Sequence, residues 1–223
     1  MNKITISEIK EIEKKFGSYQ YLLIFRYANL CIKADPMSLM PVTVAVGATG
    51  MNIEEVADVA ELDEYHLGII PKNPDLLRDI EQGILYAHPE FKISQEEMEE
   101  DDPESTFLVC EMPEVDKQRR DVLTEATKSL HDECKAQMDA VLLEEKSGFA
   151  ELFAEDPETL KEAADQLNEK HSDAVSDIQE LRDKKLEEIE DAYEKYLEGH
   201  PMEVEDEIPQ SDVDITHSMH LGD

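Results

Sequence analysis

The chain has 223 residues, with 55 Asp+Glu against 21 Lys+Arg and a formal net charge of -34. A surface so negative repels phosphate backbones and anionic lipid, which excludes direct DNA binding or membrane binding through a broad basic face. Its 40% hydrophobic content still provides for a buried core, which excludes wholesale disorder.

No secretory-signal pattern stands near the N-terminus. The most apolar stretch, residues 19–32, is interrupted by Arg26 and Asn29. It is also shorter than the roughly 20 residues a membrane span needs, so it reads as a buried amphipathic helix. Apolar positions at Ile9, Ile12, Phe16, Tyr19, Leu23, Tyr27 and Leu30 recur in steps of three and four, which predicts a helix over 4–32. Ala34-Asp35-Pro36 ends it, because the residue before a proline is pushed away from helical geometry.

The period then changes. Val42, Val44 and Val46 alternate, and Gly47-Ala48-Thr49-Gly50 is a turn signal, so a strand and a hairpin-like reversal follow. Residues 56–62 alternate again, a turn falls at Asp63-Glu64, and 67–70 continue as strand. Pro74 and Asp75 open a helix carrying Leu76, Leu77, Ile80 and Ile84 on one face. Residues 107–110 form a last strand, and the charge run at 95–104 reads as a solvated loop.

From Pro113 onward the helical period returns. Leu123, Leu130, Cys134, Met138 and Val141 mark a helix near 114–154, interrupted at Ser147-Gly148. Beyond Asp156-Pro157, the stripe Leu160, Ala164, Leu167, His171, Ala174, Ile178, Leu181, Ile189 and Tyr196 marks another, near 157–197. Two long helices joined by a short loop pack antiparallel, and the first helix supplies a third member. The expected architecture is α+β. Residues 1–36 and 113–198 form a long antiparallel three-helix bundle, and 37–112 form a small α/β domain inserted after the first helix. Residues 199–223 form a flexible acidic tail.

This order of elements resembles the ribosome recycling factor family, over roughly residues 4–198. Lys33-Ala34-Asp35-Pro36 is similar to the family's Arg-Ala-Ser-Pro at the end of the first helix. Met112-Pro113-Glu114-Val115-Asp116-Lys117-Gln118-Arg119-Arg120 resembles its Pro-Leu-Thr-Glu-Glu-Arg-Arg segment, where the chain leaves the inserted domain. The resemblance implies an L-shaped molecule, with a βαβ-type insert and a bundle that mimics tRNA in shape, its tip near residues 147–156. It further implies a cytoplasmic, non-enzymatic translation factor. Such a factor binds the large ribosomal subunit after termination and acts with elongation factor G to disassemble the complex.

The departures from the family's pattern define the candidate site. An arginine cluster that faces ribosomal RNA in the family falls here on Asp139, Leu142 and Leu143, followed by Glu144-Glu145. The arginine ending the first helix corresponds to Lys33, which keeps the charge but loses the bidentate fork. Arg119 and Arg120 are a rare basic pair, and Lys128 and Lys135 stand where the family tends to be basic. These eight residues are the expected ribosome- or partner-binding positions, with RNA contacts weaker than in arginine-bearing relatives. A competing reading is an acidic interaction protein, of phage or mobile-element origin, that reuses the scaffold. It would bind a basic protein or mimic nucleic acid. On either reading a monomer is expected.

No catalytic constellation, cofactor or metal site is expected. Cys31, Cys110 and Cys134 are odd in number and widely spaced, which suits a reducing interior. His171 reads as a packed core residue, and Cys134, three residues after His131, as a buried thiol. His217 and His220 offer no preorganised metal geometry, and the acidic runs at 96–102 and 203–207 lack the glycine and ligand spacing of a calcium loop.

Overall fold

The computed structural model describes residues 3–97 and 106–201. The acidic tail beyond residue 201, with His217, His220 and the run 203–207, lies outside the described residues, as do residues 98–105.

Helix α1 (Lys3–Ala28) stops four residues short of the expected Ile32. The Asn29 side chain donates to the Phe25 carbonyl at 2.8 Å, and Cys31 then takes a positive φ of 52°, which reverses the chain. Asp35 caps the following 3-10 turn, Pro36–Leu39, accepting from the Met37 N–H at 2.8 Å. Strands β1 (Thr43–Val46) and β2 (Thr49–Asn52) form a hairpin across a two-residue loop. Gly47 supplies the positive φ of 61° that this tight reversal needs in its first loop position.

The expected strand at 56–62 begins one residue late. A helical turn, α2 (Ile53–Val56), comes first, its start held by the Glu55 carboxylate accepting from the Asn52 N–H at 2.8 Å. Strands β3 (Ala57–Asp63) and β4 (His66–Pro71) and helix α3 (Leu77–Ala87) follow. Strands β5 (Lys92–Glu97) and β6 (Thr106–Glu111) complete a four-stranded sheet in the order β3-β4-β6-β5. Two expectations are corrected here. Residues 95–97 lie in strand β5 rather than in a loop, and every described strand pair is antiparallel, so the insert is not of the βαβ type. The acidic side chains of β5 concealed it, because only Ile93 of this edge strand packs against the core, too little to write an apolar alternation. Leu39, Val42, Val44, Ile53, Leu67, Ile69, Ile80, Ile84 and Leu108 close a core between the sheet, the hairpin and α3.

Helices α4 (Lys117–Leu152) and α5 (Pro157–Gly199) make the long arms of the bundle. Ser147 and Gly148 do not interrupt α4. Both are exposed, and one glycine on a solvated face costs only about 1 kcal/mol against alanine. The reversal falls at residues 153–156, where Asp156 caps α5 by accepting from the Thr159 N–H at 3.0 Å. Tyr27 Oη reaches the Thr127 carbonyl at 3.1 Å and Lys15 reaches Glu145 at 2.5 Å, so α1 runs antiparallel to α4. Lys170–Glu13 and Gln20–Asp177 contacts put α1 parallel to α5. Ile12, Phe16, Leu23, Met138, Leu167 and Ile178 fill the bundle, each burial contributing roughly 1.5–3 kcal/mol. A smaller cluster, Ile32, Val115, Leu123, Ile189 and Ala192, packs the end nearest the sheet. Among the described residues no helix is long and apolar enough to cross a membrane.

Candidate functional site

The eight expected binding residues fall in two groups. Lys33, Arg119 and Arg120 stand where the chain passes between bundle and sheet lobe. Lys128, Lys135, Asp139, Leu142 and Leu143 run along α4 toward its far end.

In the first group no cation stands free. Lys33 Nζ lies 2.8 Å from Glu64 on the β3–β4 turn, and Lys195 of α5 reaches the same carboxylate at 3.6 Å. The hydrogen bond from Lys33, above all, holds the Glu64 carboxyl below its ordinary range. Backbone bonds reinforce this contact: Ala34 N–H to the Glu64 carbonyl and Met112 N–H to the Tyr65 carbonyl, both 2.8 Å. Lys195 also sits over the Tyr65 ring, 3.9 Å from its centroid.

Arg119 turns inward. Its Nη2 donates to the Leu30 and Cys31 carbonyls at 3.2 and 3.3 Å, satisfying acceptors where α1 has ended. Nε is buried without a protein partner, and burial lowers the pKa of the guanidinium. Arg120 pairs with Asp121 at 2.8 Å and covers the Tyr193 ring at 4.5 Å.

In the second group, Lys128 is exposed and makes no ion pair among the described residues. Lys135 lies 2.6 Å from Asp139, whose other oxygen is 2.8 Å from His171 Nε2. The hydrogen bond from Lys135 first, and that of His171 second, hold the Asp139 carboxyl below its usual range. His171 is thus more than a packed core residue: beside its edge contact with Phe16, it bridges α5 to α4. Leu142 is half-buried against the bundle core, whereas Leu143 is 72% exposed. Cys134 is buried, its thiol 3.5 Å from the Tyr19 carbonyl, while His131 turns its Nδ1 to Asp132.

Sequence reasoning missed Glu64, Lys195 and Tyr193 as partners of the basic residues. Asp63-Glu64 carried only a turn signal, and a pairing across more than 30 or 130 positions leaves no local trace. It also missed the convergence of Cys31, His88 and Glu90.

Together the described residues define a class: a helical-bundle scaffold with an antiparallel lobe spliced in after its first helix. The sequence pattern of the family described as Ribosome recycling factor matches residues 28–198. The chain belongs to the ribosome recycling factor family. It is similar in fold to a solution structure of the ribosome recycling factor, with a TM-score of 0.63 and 17% identity, covering 86% of this chain and 100% of that one. A second similar structure is the T. thermophilus ribosome recycling factor, described together with E. coli elongation factor G as bound to the E. coli post-termination complex. There the TM-score is 0.54 and the identity 20%, covering 81% of this chain and 98% of that one. No curated protein sequence matches this chain.

Proposed function

We propose that this chain is a non-enzymatic, cytoplasmic, monomeric translation factor. It binds the large ribosomal subunit after termination and aids disassembly with elongation factor G, through RNA contacts weaker than those of arginine-bearing relatives. The observation that carries this reading is the reach of the family match, which covers the lobe, both long helices and the end of the first. The weakening rests on the state of the cations. Lys33, Arg120 and Lys135 are each held by a carboxylate, and Arg119 is spent on backbone carbonyls. Lys128 is left to meet phosphate without first breaking a protein contact. Each phosphate contact contributes to affinity and to its salt dependence, so few free cations mean a low, shallow salt response.

Sedimentation with isolated large subunits at low and at moderate salt tests the proposal. Binding that is detectable at low salt and falls gently is expected. No binding at any salt refutes the ribosomal role. Tight binding with a steep salt slope refutes the weakened contact.

One observation favours a second reading, a basic protein partner. Leu143 is exposed beside the exposed Ala140 and Glu144 on α4. An apolar spot beside an anion suits a basic, partly apolar protein groove better than a phosphate backbone.

A further inference from the structure

We propose that Cys31, His88 and Glu90 form a binding site for a divalent transition-metal ion of the zinc type, at the junction of bundle and lobe. Cys31 follows α1, and His88 and Glu90 follow α3, so the site draws on segments 57 residues apart. One ligand atom from each lies within 4.8 Å of the others. Cys31 Sγ is 3.7 Å from His88 Nδ1, and Nδ1 is 3.4 Å from Glu90 Oε1. A tetrahedral zinc ion, with its usual bond lengths, sets its sulfur and nitrogen ligands about 3.6 Å apart and its nitrogen and oxygen ligands about 3.4 Å apart. The donor atoms already stand near those separations.

The imidazole is prepared for such a role. His88 Nε2 lies 3.0 Å from the Ser38 carbonyl, which can only accept, so that nitrogen carries a proton. In the neutral ring the lone pair is then on Nδ1, facing the thiol and the carboxylate. A carbonyl that fixes the tautomer from behind is the usual support of a metal-ligating histidine. Phe91 stacks on the ring with centroids 4.6 Å apart and an 11° interplanar angle, which fixes its plane. Cys31 is held in the left-handed region, at φ 52°, a conformation non-glycine residues rarely adopt.

The plain alternative is a thiol that donates to the Asn29 carbonyl at 3.4 Å or to His88 Nδ1 at 3.7 Å. It accounts for the sulfur contact but not for Glu90. A carboxylate oxygen 3.4 Å from a nitrogen lone pair is repulsive unless a cation or a proton stands between them. The thiol and imidazole are buried while Glu90 is exposed, so an ion can enter past the carboxylate and keep water as a fourth ligand. Thiolate and carboxylate together balance a divalent charge. The nearby Arg119 guanidinium, bonded to the Cys31 carbonyl at 3.3 Å, opposes the ion in part. On binding, the S–H bond breaks, sulfur keeps the electron pair and bonds the metal, and the proton leaves to buffer.

The test is titration of the full chain, freed of metal by chelator dialysis, with Co²⁺ followed by absorption. The expected result is a thiolate-to-cobalt charge-transfer band in the near ultraviolet that saturates at one equivalent and is abolished by excess Zn²⁺. Cys31→Ser should remove the band. The surface variant Glu90→Gln, which leaves the core intact, should weaken binding about tenfold or more. Cobalt held by His217 or His220 gives no such band, because neither brings a thiolate. No band in the parent chain, a band that persists in Cys31→Ser, or unchanged affinity in Glu90→Gln overturns the proposal.

Discussion

His171 Nε2 on α5 lies 2.8 Å from Asp139 Oδ1 on α4, and Lys135 takes the other carboxylate oxygen at 2.6 Å. The Asp139 carboxylate is therefore held on both oxygens by protein donors. It is a bridge between the two longest helices, α4 and α5.

Asp139→Asn should lower stability modestly at neutral pH. The folded-state carboxyl is depressed, so its contribution is full above the unfolded value of about 3.9 and is lost as pH falls through the lower folded value. The side chain is 44% exposed, and solvent screening limits the effect to less than about 1 kcal/mol. Urea unfolding of parent and variant at pH 7 and at about pH 2.5 checks this. A gap that stays constant between the two conditions contradicts it.

Arg119 is expected to act as a structural cation. Arg119→Ala leaves two carbonyls at the end of α1 without their donor, which should cost about 1–3 kcal/mol. Arg119→Lys should recover only part of the loss, since an ammonium lacks the planar fork. Thermal unfolding by circular dichroism measures both. Unchanged stability in the alanine variant, joined to a shallower salt slope of ribosome binding, would instead make Arg119 a phosphate contact.

Gly83→Ala tests how α3 sits on the hairpin. In an exposed helix interior this change stabilises by about 1 kcal/mol. Here an added Cβ would meet the Thr43 carbonyl oxygen at 3.0 Å and Val44 Cα at 3.3 Å, both backbone atoms of β1. Net destabilisation of about 1–3 kcal/mol is expected from overpacking. Hydrogen exchange should place the loss in the lobe, and a stabilised variant would show that β1 can move aside.

Leu143→Arg should leave the fold intact, within about 0.5 kcal/mol, because the side chain is 72% exposed. It should improve binding to large subunits and steepen the salt slope by about one unit, while weakening any basic protein partner. If neither interaction responds, α4 does not present this face to a partner.

The sequence by itself determined the period of each segment, and with it most of the elements. Residues that must bury one face repeat every three to four positions in a helix and every two in a strand. Burial therefore wrote α1, α4, α5 and the inner strands into the chain. Strand β5 escaped because its stability comes from backbone bonds to β6, which no side-chain pattern records. Ser147-Gly148 was misread because local propensity is weak beside the packing of Met138 and Phe149 on either side. Motif resemblance also led to the expectation that Asp139, Leu142 and Leu143 stand in place of the family's arginine cluster. Only the tertiary structure decided what the charged residues do. Arg119 turns to carbonyls 88 and 89 residues away, Lys33 meets Glu64 across the junction, and Asp139 meets His171 on another helix. Charge–charge energy falls with distance and depends on burial, so a cation's role is set by its neighbours in space. The same reason hid the approach of Cys31 to His88 and Glu90, which only the reversal after α1 brings about.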